Sequence, residues 1–130
     1  MTKKTNYEAM AKEIYEWCVA HEVWDGCVIY FNGKAWDSYQ DWGFKGKEFG
    51  KKIGEELYEF ENKNPKDYFK YANPNTLSMA FDGSDLYYIF NAFWEDKTWL
   101  KWHEDFHAMF DKYNGYIELG NSWNFTFVED

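Results

Sequence analysis

The chain has 130 residues, 24% of them aromatic, with 23 acidic against 14 basic side chains and a formal net charge of −9. The length suits one domain, residues 1–130, and the bulky apolar content excludes a disordered acidic tail. The acidity excludes direct binding of nucleic acid through its phosphates, and because every cation is lysine there is no arginine fork to grip phosphate or guanine.

A first helix is predicted over 6–22. Thr5 and Glu8 have the spacing of a capping box, and Tyr7, Met10, Ile14, Trp17 and Cys18 recur at helical intervals. Glu8, Glu13 and Glu16 fall mainly away from that stripe. Residues 27–31 and 34–36 then flank Asn32-Gly33, a strong hairpin signal because both residues tolerate positive φ. A second helix is predicted over 47–62, with Phe49, Ile53, Leu57 and Phe60 on one side and Glu48, Glu55, Glu56 and Glu59 on the other. Gly50 and Gly54 each weaken it by about 1 kcal/mol relative to alanine. A second hairpin pairs 77–81 with 86–90. A third helix covers 97–113, with Asp96 as N-cap and Asn114-Gly115 as its stop. A third hairpin pairs 116–119 with 123–127 about Gly120-Asn121-Ser122.

These elements predict an α+β fold: a largely antiparallel sheet of about six strands, in three hairpins, covered on one face by three helices. Sorting the strands by period two sends Ile29, Phe31, Met79, Tyr88, Leu119 and Phe125, among others, toward the helices. It leaves Tyr30, Tyr87 and Tyr116 on the opposite face. Tyrosine joins a large contact area to a polar tip, so that face is a candidate partner surface.

His103-Glu104-Asp105-Phe106-His107 is the sharpest local motif. Histidines at i and i+4 on a helix can both ligate zinc, and Glu104 can serve as base on a metal-bound water. Over these five residues the chain resembles the zincin signature, which implies a zinc-dependent hydrolase. No histidine follows His107 to complete the site, and Glu118 lies on a predicted strand. The plainer reading makes both histidines boundary residues beside the aromatic stripe of Trp99, Trp102, Phe106 and Phe110, and needs no cofactor. Lys45, Lys47, Lys51 and Lys52 form a basic cluster without the order of a P-loop. Trp36 and Trp42, with Asp37 and Asp41, offer the parts of a small-molecule or sugar-binding module.

Two cysteines, Cys18 and Cys27, make no disulfide framework, and no apolar run reaches the ~18 residues of a membrane span. With no leader after Met1, a cytoplasmic protein away from membranes is expected.

The broader signal is the acid. If the carboxylates of the first and second helices lie side by side, they create a field that fits a basic protein groove; otherwise they only keep an aromatic-rich chain soluble. Small acidic chains of this type resemble phage and mobile-element inhibitors, including anti-CRISPR and antirestriction proteins. Ile29-Tyr-Phe-Asn-Gly-Lys-Ala-Trp-Asp37 is similar to a strand-Asn-Gly-strand-Trp-acid stretch of ArdA-type antirestriction proteins. The resemblance implies a non-enzymatic protein of a bacterial or host cytoplasm. Its partner would be a nucleic-acid-binding defence enzyme, with carboxylates standing in for phosphates.

Overall fold

The computed structural model describes residues 5–40, 50–61 and 64–130. Its strands are β1 (Val28–Phe31), β2 (Lys34–Asp37), β3 (Lys51–Gly54), β4 (Leu57–Glu61), β5 (Ser78–Ala80), β6 (Gly115–Asn121) and β7 (Asn124–Glu129). They form one antiparallel sheet in the order β3-β4-β2-β1-β5-β7-β6. Three α-helices, α1 (Tyr7–Ala20), α2 (Leu86–Asn91) and α3 (Lys97–Ala108), complete an α+β fold. The sheet has seven strands, not six.

α1 forms where the stripe requires, burying Tyr7, Met10, Ala11, Ile14 and Cys18. Its cap is Asn6, whose side chain accepts from the Ala9 amide at 3.0 Å. The β1–β2 turn is as expected, with φ of 50° at Asn32 and 74° at Gly33. α3 starts at Asp96, which accepts from the amides of Thr98 and Trp99. It ends at Ala108 and not at 113, because the hydrogen bonds tighten to i→i−3 at Met109 and Phe110 and a 3-10 turn follows at Asp111–Tyr113. The last turn falls at 122–123, with a register shift between Leu119 and Asn121.

Two predicted elements exchange character. The stretch expected to be a helix over 47–62 is the hairpin β3–β4, and Glu48 lies outside the described residues. Leu57 and Phe60 are three apart, and a helix would put both on one side. A strand puts them on opposite sides, and each finds a core there: Leu57 beneath the helices, Phe60 on the far face. Conversely, 86–90 is α2 and not a strand, since Leu86, Ile89 and Phe90 enter the same core at i, i+3 and i+4.

The sheet therefore has a core on each face. The larger lies beneath the helices and includes Ile29, Met79, Phe81, Phe106, Phe125 and Phe127. The smaller gathers Tyr30, Ala35, Phe60, Phe69, Ala72 and Ala80 beneath the segment between β4 and β5. Leu119 and Tyr88, expected inside, are 46% and 49% exposed. Cys18 and Cys27 are free and buried, and burial pushes the Cys18 thiol well above its ordinary range. Among the described residues no helix is long and apolar enough to cross a membrane.

Candidate interaction surface

The tyrosines expected to share an outer face are in three places. Tyr30 is 2% exposed, stacked on Tyr68 at 5.6 Å and edge-on to Phe69 at 5.8 Å, so it is part of the smaller core. Tyr87 is half-buried on α2, against the larger core. Tyr116 is exposed on β6, which ends the sheet. The sheet face expected to bear them is covered, near its centre, by the segment that buries Phe69 and Ala72.

His103 and His107 sit one turn apart on α3, with ring centres 4.3 Å apart. His103 Nδ1 meets the Ile89 carbonyl at 3.1 Å, and His107 Nδ1 meets the His103 carbonyl at 2.9 Å. The His103 ring is stacked on Phe93 at 4.0 Å. Burial, and then the neighbouring His107, hold His103 below the usual imidazole range. Glu104 is exposed. No group of three or more His, Cys, Asp or Glu side chains that could hold a metal is present among the described residues. What the structure shows for these histidines is a packing role, joining α3 to α2 and to the turn at Phe93–Glu95. Of the sugar-site residues, Trp36 is buried and donates to Glu59 at 3.0 Å, while Asp41 and Trp42 lie outside the described residues, as do Lys45 and Lys47.

The carboxylates divide into used and unused. Glu8 and Glu59 share Lys34, at 3.2 and 3.3 Å, and Glu13 pairs with Lys112 at 2.7 Å while accepting from the Tyr113 hydroxyl. Glu16, Glu22, Glu55 and Glu56 are exposed, and none of their carboxylates has a hydrogen bond or ion pair among the described residues.

Three of these four converge although the described part of 47–62 forms a hairpin and not the expected helix. The Tyr15 hydroxyl donates to the Glu55 carbonyl at 2.5 Å, and Trp24 Nε1 donates to the Glu56 carbonyl at 2.7 Å. The two rings meet edge to face at 5.1 Å. This clasp fixes the β3–β4 turn against the last turns of α1. Burial first, and then the fields of Glu55, Glu56 and Glu16, push the Tyr15 hydroxyl above its ordinary range. Glu16 of α1 and the Glu55–Glu56 turn thus both act on Tyr15, brought together by a hairpin turn and not by two helix faces.

Local backbone strain sharpens the pattern. Among the described residues, four other than glycine have positive φ: Asn32 and Asn114, which adopt it readily, and Glu22 and Glu56, which favour it less. α1 ends in a Schellman motif, the Val23 amide bonding the Cys18 carbonyl at 2.8 Å and the Glu22 amide the Val19 carbonyl at 3.1 Å. Glu22, at φ 59°, holds the position glycine ordinarily takes, and Glu56, at φ 49°, holds its counterpart in the β3–β4 turn. Each arrangement costs about 1–2 kcal/mol for a residue with a Cβ. No periodicity could have flagged these two residues; the signal available was a turn position without its glycine.

Comparison with protein-family models, curated proteins and solved structures finds no match.

Proposed function

We propose that the chain is a non-enzymatic protein-interaction module whose acidic end, built from Glu16, Glu55 and Glu56 around Tyr15, docks into a basic protein groove. The observation that carries this reading is the clasp that holds the β3–β4 turn on α1. It places three unpaired carboxylates together and keeps a glutamate where glycine would relieve strain. Strain persists where something else depends on it, and carboxylates in a shared field meet cationic partners best.

The specific form of the reading is inhibition. The partner is a nucleic-acid-binding defence enzyme, as of a bacterium attacked by phage, and the acidic end occupies the channel that otherwise holds phosphates. The test measures binding to a panel of such enzymes with and without duplex DNA. Binding weakens at least about tenfold between ~50 and ~300 mM salt, duplex DNA competes, and the triple variant E16Q/E55Q/E56Q loses most of the affinity. Binding that ignores salt, DNA and the triple substitution alike rejects the reading.

A further inference from the structure

Beside the acidic end, the close of α1, the start of α2 and one side of α3 enclose a cleft of about 380 Å3. Its walls are aromatic. Tyr88 and Trp99 lie nearly parallel, with ring centres 6.1 Å apart and planes 19° from one another. Trp102 stands perpendicular to His21 at 4.8 Å, and His21 is itself stacked on Trp17 at 3.8 Å. The buried side chains of Val23 and Ile89 also line the space. Two carboxylates, Glu22 and Asp85, line it too, and among the described residues no lysine does.

Among the described residues neither carboxylate has a hydrogen bond or ion pair. Glu22 occupies the left-handed position that ends α1. Asp85 precedes the first residue of α2 but makes no capping bond; the Leu86 amide bonds Ser84 Oγ at 3.0 Å instead. Ring faces present negative charge to whatever lies over them, and carboxylates add to it. Together they favour one chemistry: a cation with apolar surface. An anion is repelled, and a neutral guest gains no charge attraction from Glu22 or Asp85.

We propose that this cleft is a binding site for an organic ammonium group, carried by a free alkylated amine or by a lysine side chain of a peptide. The site rests on its own geometry, and Glu16, Glu55 and Glu56 stay intact in every arm of its test, so it stands or falls apart from the acidic end.

The probes are choline, its neutral isostere 3,3-dimethylbutan-1-ol, and an Nα-acetyl trimethyllysine amide, titrated while the indole N–H resonances of Trp99 and Trp102 are followed. Choline shifts both resonances saturably with a Kd on the order of 1 mM, and the neutral alcohol binds at least about tenfold more weakly. Tighter binding of the lysine derivative than of choline assigns a peptide source, and equal binding a free amine. Glu22→Gly weakens choline about tenfold while raising Tm, because glycine suits the backbone there; that pairing separates loss of the carboxylate from loss of the fold. Trp99→Ala abolishes the shift at Trp102. Equal binding of alcohol and choline, undiminished choline binding in Glu22→Gly, or no saturable shift with any cation overturns the proposal.

Discussion

Asp37 is a charge in a place that does not suit one. It closes β2 with 6% of its surface exposed and accepts from the Tyr39 amide at 3.0 Å. Burial pushes its carboxyl from 3.8 up to about 6, even though the backbone amides of Tyr39 and Ser38 oppose the shift. The folded chain thus holds this proton more tightly than the unfolded chain does. Its contribution to stability is full below about pH 4, falls as pH rises, and is lost above about pH 6. At 1.36 kcal/mol per unit the ionised form costs roughly 3 kcal/mol, an upper bound because the site relaxes. Asp37→Asn keeps an oxygen for the Tyr39 amide and removes the charge. In urea titrations the variant and the parent are expected to differ little at pH 4, with the variant ahead by about 2 kcal/mol at pH 7.5. A gap that does not grow with pH would mean that the ionised carboxylate is compensated in place. The sequence placed Asp37 beside Trp36 as part of a sugar site, since nothing in a sequence shows that a strand's last residue is roofed over.

At the scale of elements, what was legible followed from local chemistry. Asn6 and Asp96 start helices through their own side chains, Asn32-Gly33 makes its turn alone, and the α1 stripe repeats over enough residues to fix its face. What was not legible depended on where a neighbour lay. Leu57 and Phe60 fit a helix or a strand according to whether one core exists or two, and the second core is made by Phe69 and Ala72 from another part of the chain. The span 86–90 is too short for its period to be decided without Phe81 and Phe125, on which Phe90 stacks at 4.9 and 5.9 Å. The acidic surface was partly legible for a similar reason: Glu16, Glu55 and Glu56 were named, but their meeting depends on Tyr15 and Trp24. The same dependence sets the join between α1 and α2. Gly26 has φ 89°, and a Cβ there would stand 2.2 Å from the Gly83 carbonyl oxygen, while Ser84 Oγ bonds the Val23 carbonyl. Backbone meets backbone, so neither side can yield by a rotamer change. Gly26→Ala is expected to cost at least about 2 kcal/mol from strained φ and overlap together, read as a lower urea midpoint at unchanged slope. Gly33, at φ 74° with nothing within 4 Å, supplies the control: alanine there pays for φ alone and loses less.

For the whole molecule, an open seven-stranded sheet leaves two edges, β3 and β6. Unpaired edges template association unless something blunts them. β3 is four residues long, carries Lys51 and Lys52, and shifts register between Lys52 and Gly54. β6 is seven residues long, exposes Tyr116 and Leu119, and contains one charge, Glu118. Its register shift between Leu119 and Asn121 protects only the far end. Two restraints therefore act on this edge, the local charge of Glu118 and the repulsion between copies that each carry −9. Glu118→Val removes the first and creates an apolar run from Tyr116 to Leu119, the type of window that associates as strands. Salt weakens the second by shortening the Debye length to about 8 Å at 0.15 M. The variant is expected to gain mass with concentration by light scattering, more at 0.5 M salt than at low salt, and to do so well below any concentration at which the parent changes. Charge-driven docking through Glu16, Glu55 and Glu56 weakens with salt, whereas edge pairing strengthens, so the sign of the salt effect separates a partner held by carboxylates from one held by β6. If Glu118→Val stays as the parent is at high salt, the register shift and the sheet's twist alone protect the edge.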